Sequence, residues 1–176
     1  MVVILHNIRS LHNVGSIFRT ADAAGIEKIY LCGITPAPVD RFGNPRRQFV
    51  KVSLGAEKNV PWEKTSSTIA FLKKLSAEGA CPLVRRGSAS GGKKGGYKIF
   101  AIEQDKRAVP YYKMRFKDTF SRESKLALVV GNEIKGLPRS ILKYADKVLE
   151  IPMTGKKESL NVSVAFGVVV FHLINL

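Results

Sequence analysis

Three short groups of polar residues and glycines in this chain have the types and spacing needed for chemistry on a ligand. The first begins at Asn13 and contains Gly15 and, six positions after Asn13, Arg19. Asn13 is a good N-cap for a predicted helix, and Gly15 would let a ligand or a partner approach the backbone of that helix. A guanidinium placed there can bind a phosphate through two hydrogen bonds. The simpler alternative is a surface arginine that pairs with Asp22, three residues further along.

The second group follows residues 126–130, an apolar run typical of a buried strand. The run ends at Gly131, and Asn132, Glu133 and Gly136 come directly after it. A glycine-containing loop at the end of a strand can offer backbone N–H and C=O groups to an adenine or a ribose. The alternative is an ordinary strand-to-helix turn in which Glu133 is solvated.

The third group joins another apolar strand to the last helix. The strand ends at Ile151, the chain breaks at Pro152 and Gly155, and Ser159 is a plausible N-cap for the apolar helix that follows. Packing alone does not explain a polar Asn161 at the mouth of so apolar a helix. A strand, a tight loop and a buried helix form a typical ligand site outside the carboxyl end of a sheet.

The elements that must position these groups alternate along the chain. Strands are predicted at residues 2–5, 28–31, 97–102, 126–130 and 147–151, and helices at 13–24, 65–78, 140–144 and 159–173. Residues 35–61 are rich in proline, glycine and arginine and are predicted to be mostly loop. The alternation predicts an α/β fold with a mainly parallel sheet. The length of 176 residues fits one domain, residues 1–176.

The composition favours a polyanionic partner. Lys and Arg number 29 against 14 Asp and Glu, a formal net charge of +15, and nucleic acid is the commonest polyanion. Residues 85–98 hold five glycines and five basic residues, and we predict a solvated, flexible loop there, with contact to the RNA backbone as the alternative. Its Gly87 and Gly92-Lys93 spacing falls short of a phosphate loop, because Lys94 replaces the Ser or Thr that would hold magnesium.

Metal, disulfide and membrane classes are not favoured by the sequence. The two cysteines and three histidines show no ligand spacing, so we expect no metal site. The longest apolar run, residues 162–176, is shorter than the ~20 residues of a membrane span. No signal-peptide pattern opens the chain. We therefore expect a cytoplasmic protein with no membrane partner.

The three groups resemble, in order, the three motifs of the TrmH (SpoU) branch of the SPOUT RNA methyltransferases. Residues 13–20 resemble its Asn-x-Gly-x-x-x-Arg-Thr motif, and residues 131–136 its Gly-Asn-Glu-x-x-Gly motif. Residues 151–163, with Ile-Pro-Met-Thr-Gly and Ser-Leu-Asn-Val-Ser, resemble its last motif. The resemblance covers nearly the whole chain and implies a SPOUT-type α/β knot, a mainly parallel sheet flanked by helices with a C-terminal trefoil knot. Knotted chains are very rare, so the knot is expected from the resemblance alone.

The resemblance also implies a function. It is transfer of a methyl group from S-adenosylmethionine (SAM) to a ribose 2′-hydroxyl of tRNA or rRNA, carried out by a homodimer. The candidate catalytic residues are Arg19, Asn13, Glu133, Ser159 and Asn161. The candidate cofactor-binding residues are Ala101, Glu103, Gly131, Asn132, Gly136, Leu137, Ile151, Met153, Leu160 and Asn161. Among these, Leu137, Ile151, Met153 and Leu160 would form apolar walls for adenine.

The family assigns activation of the hydroxyl to the arginine that matches Arg19. A guanidinium stays protonated, so we expect Arg19 to bind the substrate phosphate and to stabilise developing alkoxide charge, with the destination of the proton left open. Asn13, Glu133, Ser159 and Asn161 would position Arg19 and the ribose. The chain starts almost at its first strand, so we expect RNA recognition from the catalytic domain, its basic loops and dimerisation.

Two other function classes are weighed against this one. A catalytically silent RNA-binding or ribosome-assembly factor could use the same fold, but all of the candidate catalytic residues are present, which argues against a degenerate site. A dinucleotide-dependent enzyme would need Gly-x-Gly-x-x-Gly after the first strand, and the sequence lacks it.

Overall fold

The computed structural model describes residues 1–77, 96–115 and 125–176. The strands are β1 (Val2–His6), β2 (Lys28–Cys32), β3 (Trp62–Thr65), β4 (Tyr97–Ile102), β5 (Val109–Pro110), β6 (Lys125–Val130) and β7 (Lys147–Glu150). The helices are α1 (Leu11–Ala23), α2 (Arg47–Ser53), α3 (Ala56–Asn59), α4 (Thr68–Ala77), α5 (Arg139–Leu142) and α6 (Val162–Ile174). Strands and helices mostly alternate, as the sequence predicts, but β3 and β5 were not predicted and α3 follows α2 without a strand between them.

The strands form one seven-stranded sheet in the order β3-β2-β1-β6-β4-β7-β5, and every pair is parallel. Apart from His6 and Lys125 at their ends, the central strands β1 and β6 consist of Val, Ile, Leu and Ala, and most of these residues are buried. Continuous apolar strands of this kind are typical of a sheet that is covered on both faces.

Helices cover the two faces of the sheet. Successive residues of a strand point to opposite faces, so Leu5 and Ile4 of β1 belong to different cores. Leu5 lies in one core with Phe18 of α1 and Phe166 of α6. Ile4 lies in the other with Leu72 of α4. The molecule therefore has three layers, with α1, α2, α3 and α6 on one side and α4 and α5 on the other.

Polar loops meet at the carboxyl edge of the sheet. The chain passes from β1 to Asn7, from β4 to Glu103, from β6 to Gly131 and from β7 to Ile151. The strands β1, β6, β4 and β7 are consecutive in the sheet, and they all run in the same direction. The loops that carry the second and third motifs are therefore neighbours.

The predicted caps of two helices are wrong. Ser10 caps α1, and its Oγ accepts the Asn13 N–H at 3.2 Å, so Asn13 lies inside the helix. Asn161 caps α6, and its Oδ1 accepts the Ser163 N–H at 2.9 Å, so the helix begins after Ser159. Each region holds two residues with good capping side chains, and the fold selects the one whose side chain faces the free N–H groups.

Residues 35–61 are not mostly loop, because they contain α2 and α3. Helix α2 buries Phe49, whose ring meets that of Phe18 edge to face at a centroid distance of 5.2 Å. A seven-residue helix has too few turns to show a clear apolar stripe. The helix predicted at residues 65–78 begins only at Thr68, because the preceding residues form β3.

Four further predictions concern the basic loop, the cysteines, membrane-spanning helices and the knot. The predicted basic loop at 85–98 lies outside the described residues except for its last three positions. Cys32 is buried, and burial raises the pKa of its thiol to about 11, which makes it unreactive. Among the helices of the described ranges, none has the length and apolar character to cross a membrane. The trefoil knot stays a prediction.

Candidate active site

A cavity of about 300 Å³ opens at the carboxyl edge of β4, β6 and β7. This volume is at the lower end of the range for small-molecule sites. The cavity is lined by residues 102–104, 130–136 and 149–151, and by Met153, Ser159, Leu160, Val162 and Ala165. Its walls combine apolar side chains from the strand ends and α6 with the backbone of two loops, a combination that suits a flat ring carrying polar edges.

The floor of the cavity requires glycine at two positions. A Cβ on Gly131 would lie 2.7 Å from Leu137 Cγ and 2.8 Å from the carbonyl carbon of Gly136. Gly136 has φ +61°, and a Cβ there would lie 2.2 Å from the Glu103 carboxylate. That carboxylate accepts the N–H of Leu137 and, at 3.0 Å, the N–H of Gln104. Glu103 therefore holds the 131–136 loop in place from the neighbouring strand.

Asn132 shapes the same loop from within. Its Oδ1 accepts the N–H groups of Ile134 at 3.0 Å and Lys135 at 2.9 Å, and its Nδ2 donates to the backbone carbonyl of Asn7 at 2.7 Å. The backbone of Asn132 also pairs with Gly136 in an antiparallel bridge. The loop is thus preformed and tied to the end of β1 before any ligand binds.

A chain of side-chain hydrogen bonds joins the three motifs at the rim of the cavity. Asn13 donates through Nδ2 to Glu133 Oε1 at 3.0 Å, and its Oδ1 accepts from Asn161 Nδ2 at 3.1 Å. Asn161 in turn caps α6 through Ser163. Asn13 is 8% exposed, and its amide has a partner at both ends. The buried asparagine that sequence reasoning took for a cap is the link between the motifs.

Glu133 is held as an ionised acceptor. Partial burial acts to raise its pKa, but hydrogen bonds from the N–H groups of Arg9 and Ser10 and from Asn13 outweigh it, and the net pKa lies below the usual value. A carboxylate with a lowered pKa that already binds three N–H donors is a poor proton acceptor. Glu133 is therefore suited to positioning the start of α1 rather than to acid–base chemistry.

Arg19 lies in a different place, a groove of about 680 Å³ between α1 and α2. The groove is also lined by His12, Ser16, Thr20, Gln48, Lys51 and Val52. The alternative pairing of Arg19 with Asp22 does not form, and Asp22 instead accepts from Asn59 Nδ2 at 3.0 Å. Arg19 is exposed, and a lysine shares its groove, so the groove offers two cations to an anion.

The packing of α2 against α1 explains the glycine at position 15, which the sequence did not predict. A Cβ at Gly15 would lie 3.1 Å from Val52 Cβ and 3.3 Å from the Phe49 carbonyl oxygen. The backbone that approaches α1 here is that of α2, so the predicted approach of a ligand to Gly15 is wrong. The close contact of the two helices forms the wall that separates Arg19 from the core.

The structure brings most of the predicted cofactor-binding residues to the cavity. Glu103, Gly131, Asn132, Gly136, Ile151, Met153 and Leu160 line it, as do Glu133 and Ser159. Ala101 and Leu137 do not line it, because their side chains are buried behind its wall, where Leu137 packs over Gly131. Asn161 acts at the rim through Asn13. Gln104, Ile134 and Lys135 line the cavity and were not predicted, although they lie within or beside the quoted motifs.

The cavity and the groove differ in the groups that they offer to a ligand. Among the residues that the structure describes, no group of His, Cys, Asp or Glu could hold a metal ion. The cavity offers apolar contacts and backbone polar groups for a bound donor molecule, while the separate groove offers cations for an anionic acceptor. The two sets of lining residues have no member in common.

Comparison with protein families gives a match to the SpoU rRNA Methylase family over residues 1–171. The 23S rRNA (guanosine-2′-O-)-methyltransferase RlmB of Ralstonia nicotianae is 31% identical over 174 residues, which are 99% of this chain and 58% of that protein. The RlmB protein of Escherichia coli strain K12 is 28% identical over 173 residues, 98% of this chain and 59% of that protein. This chain thus spans little more than half the length of these curated relatives.

Solved structures of other proteins are also similar to this chain over nearly its whole length. An AdoMet-bound rRNA methyltransferase from Sinorhizobium meliloti superposes with a TM-score of 0.75 at 27% identity, over 97% of this chain and 54% of that one. A TrmH/SpoU tRNA modifying enzyme from A. aeolicus superposes with a TM-score of 0.72 at 26% identity, over 99% of this chain and 73% of that one.

Proposed function

Because the chain belongs to the SpoU rRNA methylase family, we propose that it transfers a methyl group from SAM to a ribose 2′-hydroxyl of RNA. The observation that carries the proposal is the hydrogen-bonded link Glu133–Asn13–Asn161, which joins the three motifs at the rim of the cavity. The link holds residues of all three motifs in one fixed arrangement beside the cavity, which is what a preorganised active site requires.

The residues around the cavity fit SAM. Ile151, Met153 and Leu160 give apolar surface for an adenine, and the backbone of residues 131–136 gives polar groups for its edge and for a ribose. The cofactor, when bound, supplies an electrophilic methyl group on a sulfonium. The chain's contribution is to hold the cavity in shape, because Glu103 and Asn132 fix the loop that forms its floor.

Arg19 and Lys51 are proposed to bind the RNA. Both side chains are exposed and line the groove beside α1 and α2. A planar guanidinium can bind a phosphate through two hydrogen bonds, and this would fix the target ribose. The same charge would stabilise negative charge that develops on the 2′-oxygen. Glu133 is not the proton acceptor in this scheme, because its lowered pKa keeps it ionised and engaged with N–H donors.

Ribosomal RNA is proposed as the substrate, with tRNA as the second candidate. The support is that the relatives at 31% and 28% identity are named as 23S rRNA methyltransferases. The solved relative from A. aeolicus is named as a tRNA modifying enzyme, so the assay must offer both RNAs. Either RNA is consistent with the cytoplasm as the place of action.

A homodimer is proposed because the cavity and the Arg19 groove are lined by different residues of one copy. Helix α6 exposes Val164 by 50% and Phe171 by 42%, seven residues apart and therefore on one face. Gly167, also on α6, lies against Thr20, the residue after Arg19. A second copy packed on this face under two-fold symmetry would bring its Arg19 towards the first copy's cavity.

The function is tested by incubating the protein with SAM labelled in its methyl group and with rRNA or tRNA that lacks modifications. We expect label in RNA, in the presence of a chelator, and a nucleotide linkage that resists alkaline hydrolysis at one position. The catalytically silent alternative predicts RNA binding with no incorporated label. Failure to detect SAM binding by calorimetry at millimolar concentration would remove the cofactor assignment as well.

A further inference from the structure

The hairpin at residues 39–45 presents an aromatic ring to solvent. Phe42 at its tip is 72% exposed, more than any other aromatic residue in the described ranges. A ring left in water forgoes the free energy that burial would give. Neither core of the molecule uses Phe42, so packing within the chain does not explain it.

The hairpin holds this ring in a fixed place. The Asp40 carboxylate accepts the N–H groups of Phe42 at 2.8 Å and Asn44 at 2.9 Å, and the Asp40 N–H donates to the Asn44 carbonyl at 2.9 Å. Val39 and Pro45 close the hairpin in an antiparallel bridge. A preformed loop loses little conformational entropy when a ligand binds to it.

One guanidinium lies beside the ring, and two more arginines follow in sequence. The Arg41 guanidinium carbon lies 4.7 Å from the centroid of the Phe42 ring. Arg46 and Arg47 follow within five residues, and both are exposed. The Asp40 carboxylate carries one opposing charge and interacts with Arg46, so residues 40–47, with three arginines and one aspartate, keep a formal net charge of +2. The tip therefore combines an open aromatic face with guanidinium groups.

The hairpin is joined to the groove proposed to bind the substrate phosphate. Arg46 donates from Nε to the Val39 carbonyl at 3.1 Å and is also the N-cap residue of α2. Further along α2, Gln48 and Lys51 line the groove that contains Arg19. A strand of RNA held at Arg19 could thus continue along α2 to the tip of the hairpin.

We propose that Phe42 and Arg41 form a stacking platform for an unpaired nucleobase close to the methylated nucleotide, an inference that rests on the proposed function. Proteins recognise unpaired bases by stacking them on aromatic rings and on guanidinium planes, between cations that follow the backbone. An apolar protein partner fits this surface less well, because it would have to bury the surrounding guanidinium groups.

The test compares Phe42→Ala with Leu54→Ala. Leu54 is 65% exposed and lies at the opposite end of α2, so it controls for loss of exposed apolar surface. Each variant is titrated with an unstructured single-stranded RNA and with a duplex RNA. Phe42→Ala should bind the single strand roughly 5- to 150-fold more weakly, as expected for one lost stacking contact, and the duplex unchanged. Its salt dependence should match that of the unaltered protein, because stacking releases no counterions.

A second variant guards against misfolding of the hairpin. Phe42→Trp should retain the affinity for single-stranded RNA, and its indole fluorescence should be quenched on binding, with the signal of Trp62 measured in the unaltered protein and subtracted. Unchanged binding by Phe42→Ala overturns the proposal, and so does an equal loss for the duplex. A changed sedimentation coefficient for Phe42→Ala overturns it too, because the ring would then lie between copies of the chain.

The experiments distinguish a failure of the stacking platform from a failure of the proposed function. If the unaltered protein methylates RNA and Phe42→Ala binds single strands normally, only the platform is wrong. If the unaltered protein binds single strands through Phe42 and transfers no methyl group, the platform stands as an RNA-binding surface and the enzymatic function falls.

Discussion

Asn13 is the residue on which the three motifs converge. Its Nδ2 binds Glu133 from the second motif, and its Oδ1 binds Asn161 from the third, across 120 and 148 positions of sequence. A side-chain amide has a donor and an acceptor on separate atoms, so it can bind a carboxylate on one side and a donor on the other. Aspartate at this position would repel Glu133, and an apolar residue would leave Asn161 unpaired. The identity of this residue is thus fixed by its partners rather than by the helix that contains it.

At the scale of residues, we predict that SAM binding and methyl transfer depend on different side chains and can be lost separately. Arg19→Ala should lower methyl transfer by about 10²-fold or more, the usual cost of losing one group that stabilises developing charge. It should leave folding and SAM affinity unchanged, because Arg19 does not line the cavity. Arg19→Lys should fail nearly as badly, since an ammonium cannot reproduce a planar fork on phosphate. Methyl incorporation, calorimetry and melting curves measure the three effects.

Substitutions at Asn161 are the matched comparison for Arg19→Ala. Asn161→Ala should damage SAM binding and methyl transfer together, because it removes the partner of Asn13 at the rim. Asn161→Asp keeps an acceptor for the Ser163 N–H, and hence the cap of α6, but loses the donor to Asn13. It should therefore melt near the unaltered protein and still bind SAM poorly. An Arg19→Ala protein that remained active, or that lost SAM binding as fully as Asn161→Ala, would contradict this division of roles.

At the scale of elements, the shape of the loop after β6 depends on a glycine, because a side chain at that position would collide with the returning loop. Gly131 lies where β6 ends, and the chain folds back so that Leu137 covers it. Glu103, at the end of the neighbouring β4, accepts the Leu137 N–H. Two parallel strands thus cooperate to shape one loop, which is why the motif after β6 depends on a carboxylate after β4.

Gly131→Ala tests this dependence. The new Cβ would lie 2.7 to 2.9 Å from atoms of Leu137 and Gly136, two of them in the backbone. The loop must shift, at a cost of about 1–3 kcal/mol in the free energy of unfolding, and SAM affinity should fall. Gly155→Ala is the control, because a Cβ there meets nothing within 4 Å and the residue has no positive φ. Equal SAM affinity and equal melting temperature in the two variants would show that the loop tolerates the shift.

At the scale of the whole molecule, the cavity and the Arg19 groove are organised by different parts of the three-layer fold. The cavity lies at the carboxyl edge of the sheet, whereas the groove lies between two helices on one of its faces. Helix α6 borders the cavity through Val162 and exposes Val164 and Phe171 nearby. The apolar face that one copy leaves in solvent therefore lies close to the site.

Mixing two inactive variants tests whether the proposed dimer completes the site. If Arg19 of one copy serves the cavity of the other, heterodimers of Arg19→Ala and Asn161→Ala contain one intact site and one doubly defective site. Random exchange then makes half of the dimers mixed, so we expect about a quarter of the normal methyl transfer. Each variant alone serves as the control. No recovery, with exchange verified by tagged copies, would show that Arg19 does not serve the partner's cavity, and failure of the tagged copies to exchange would count against the dimer itself.

Much of this protein follows from its sequence because the signals are local. Short stretches rich in apolar residues mark β1, β2, β4, β6 and β7 to within a residue or two, because strands covered on both faces are mostly apolar. The family was predicted from motif residues and is confirmed by the family match over residues 1–171. The α/β fold was predicted from the alternation of strands and helices and is confirmed by the parallel sheet.

What only the tertiary structure decided is which partner each polar group and glycine has. The sequence predicted Asn13 as a helix cap, but Ser10 caps the helix in the structure. It also predicted that a ligand or a partner could approach Gly15, but Val52 fills that space. Leu137 was predicted to face the cofactor, and it lies over Gly131 instead. Capping strength and apolarity are properties of single residues. Contact depends on which strand ends and helix faces the sheet brings together, often more than 100 residues apart along the chain.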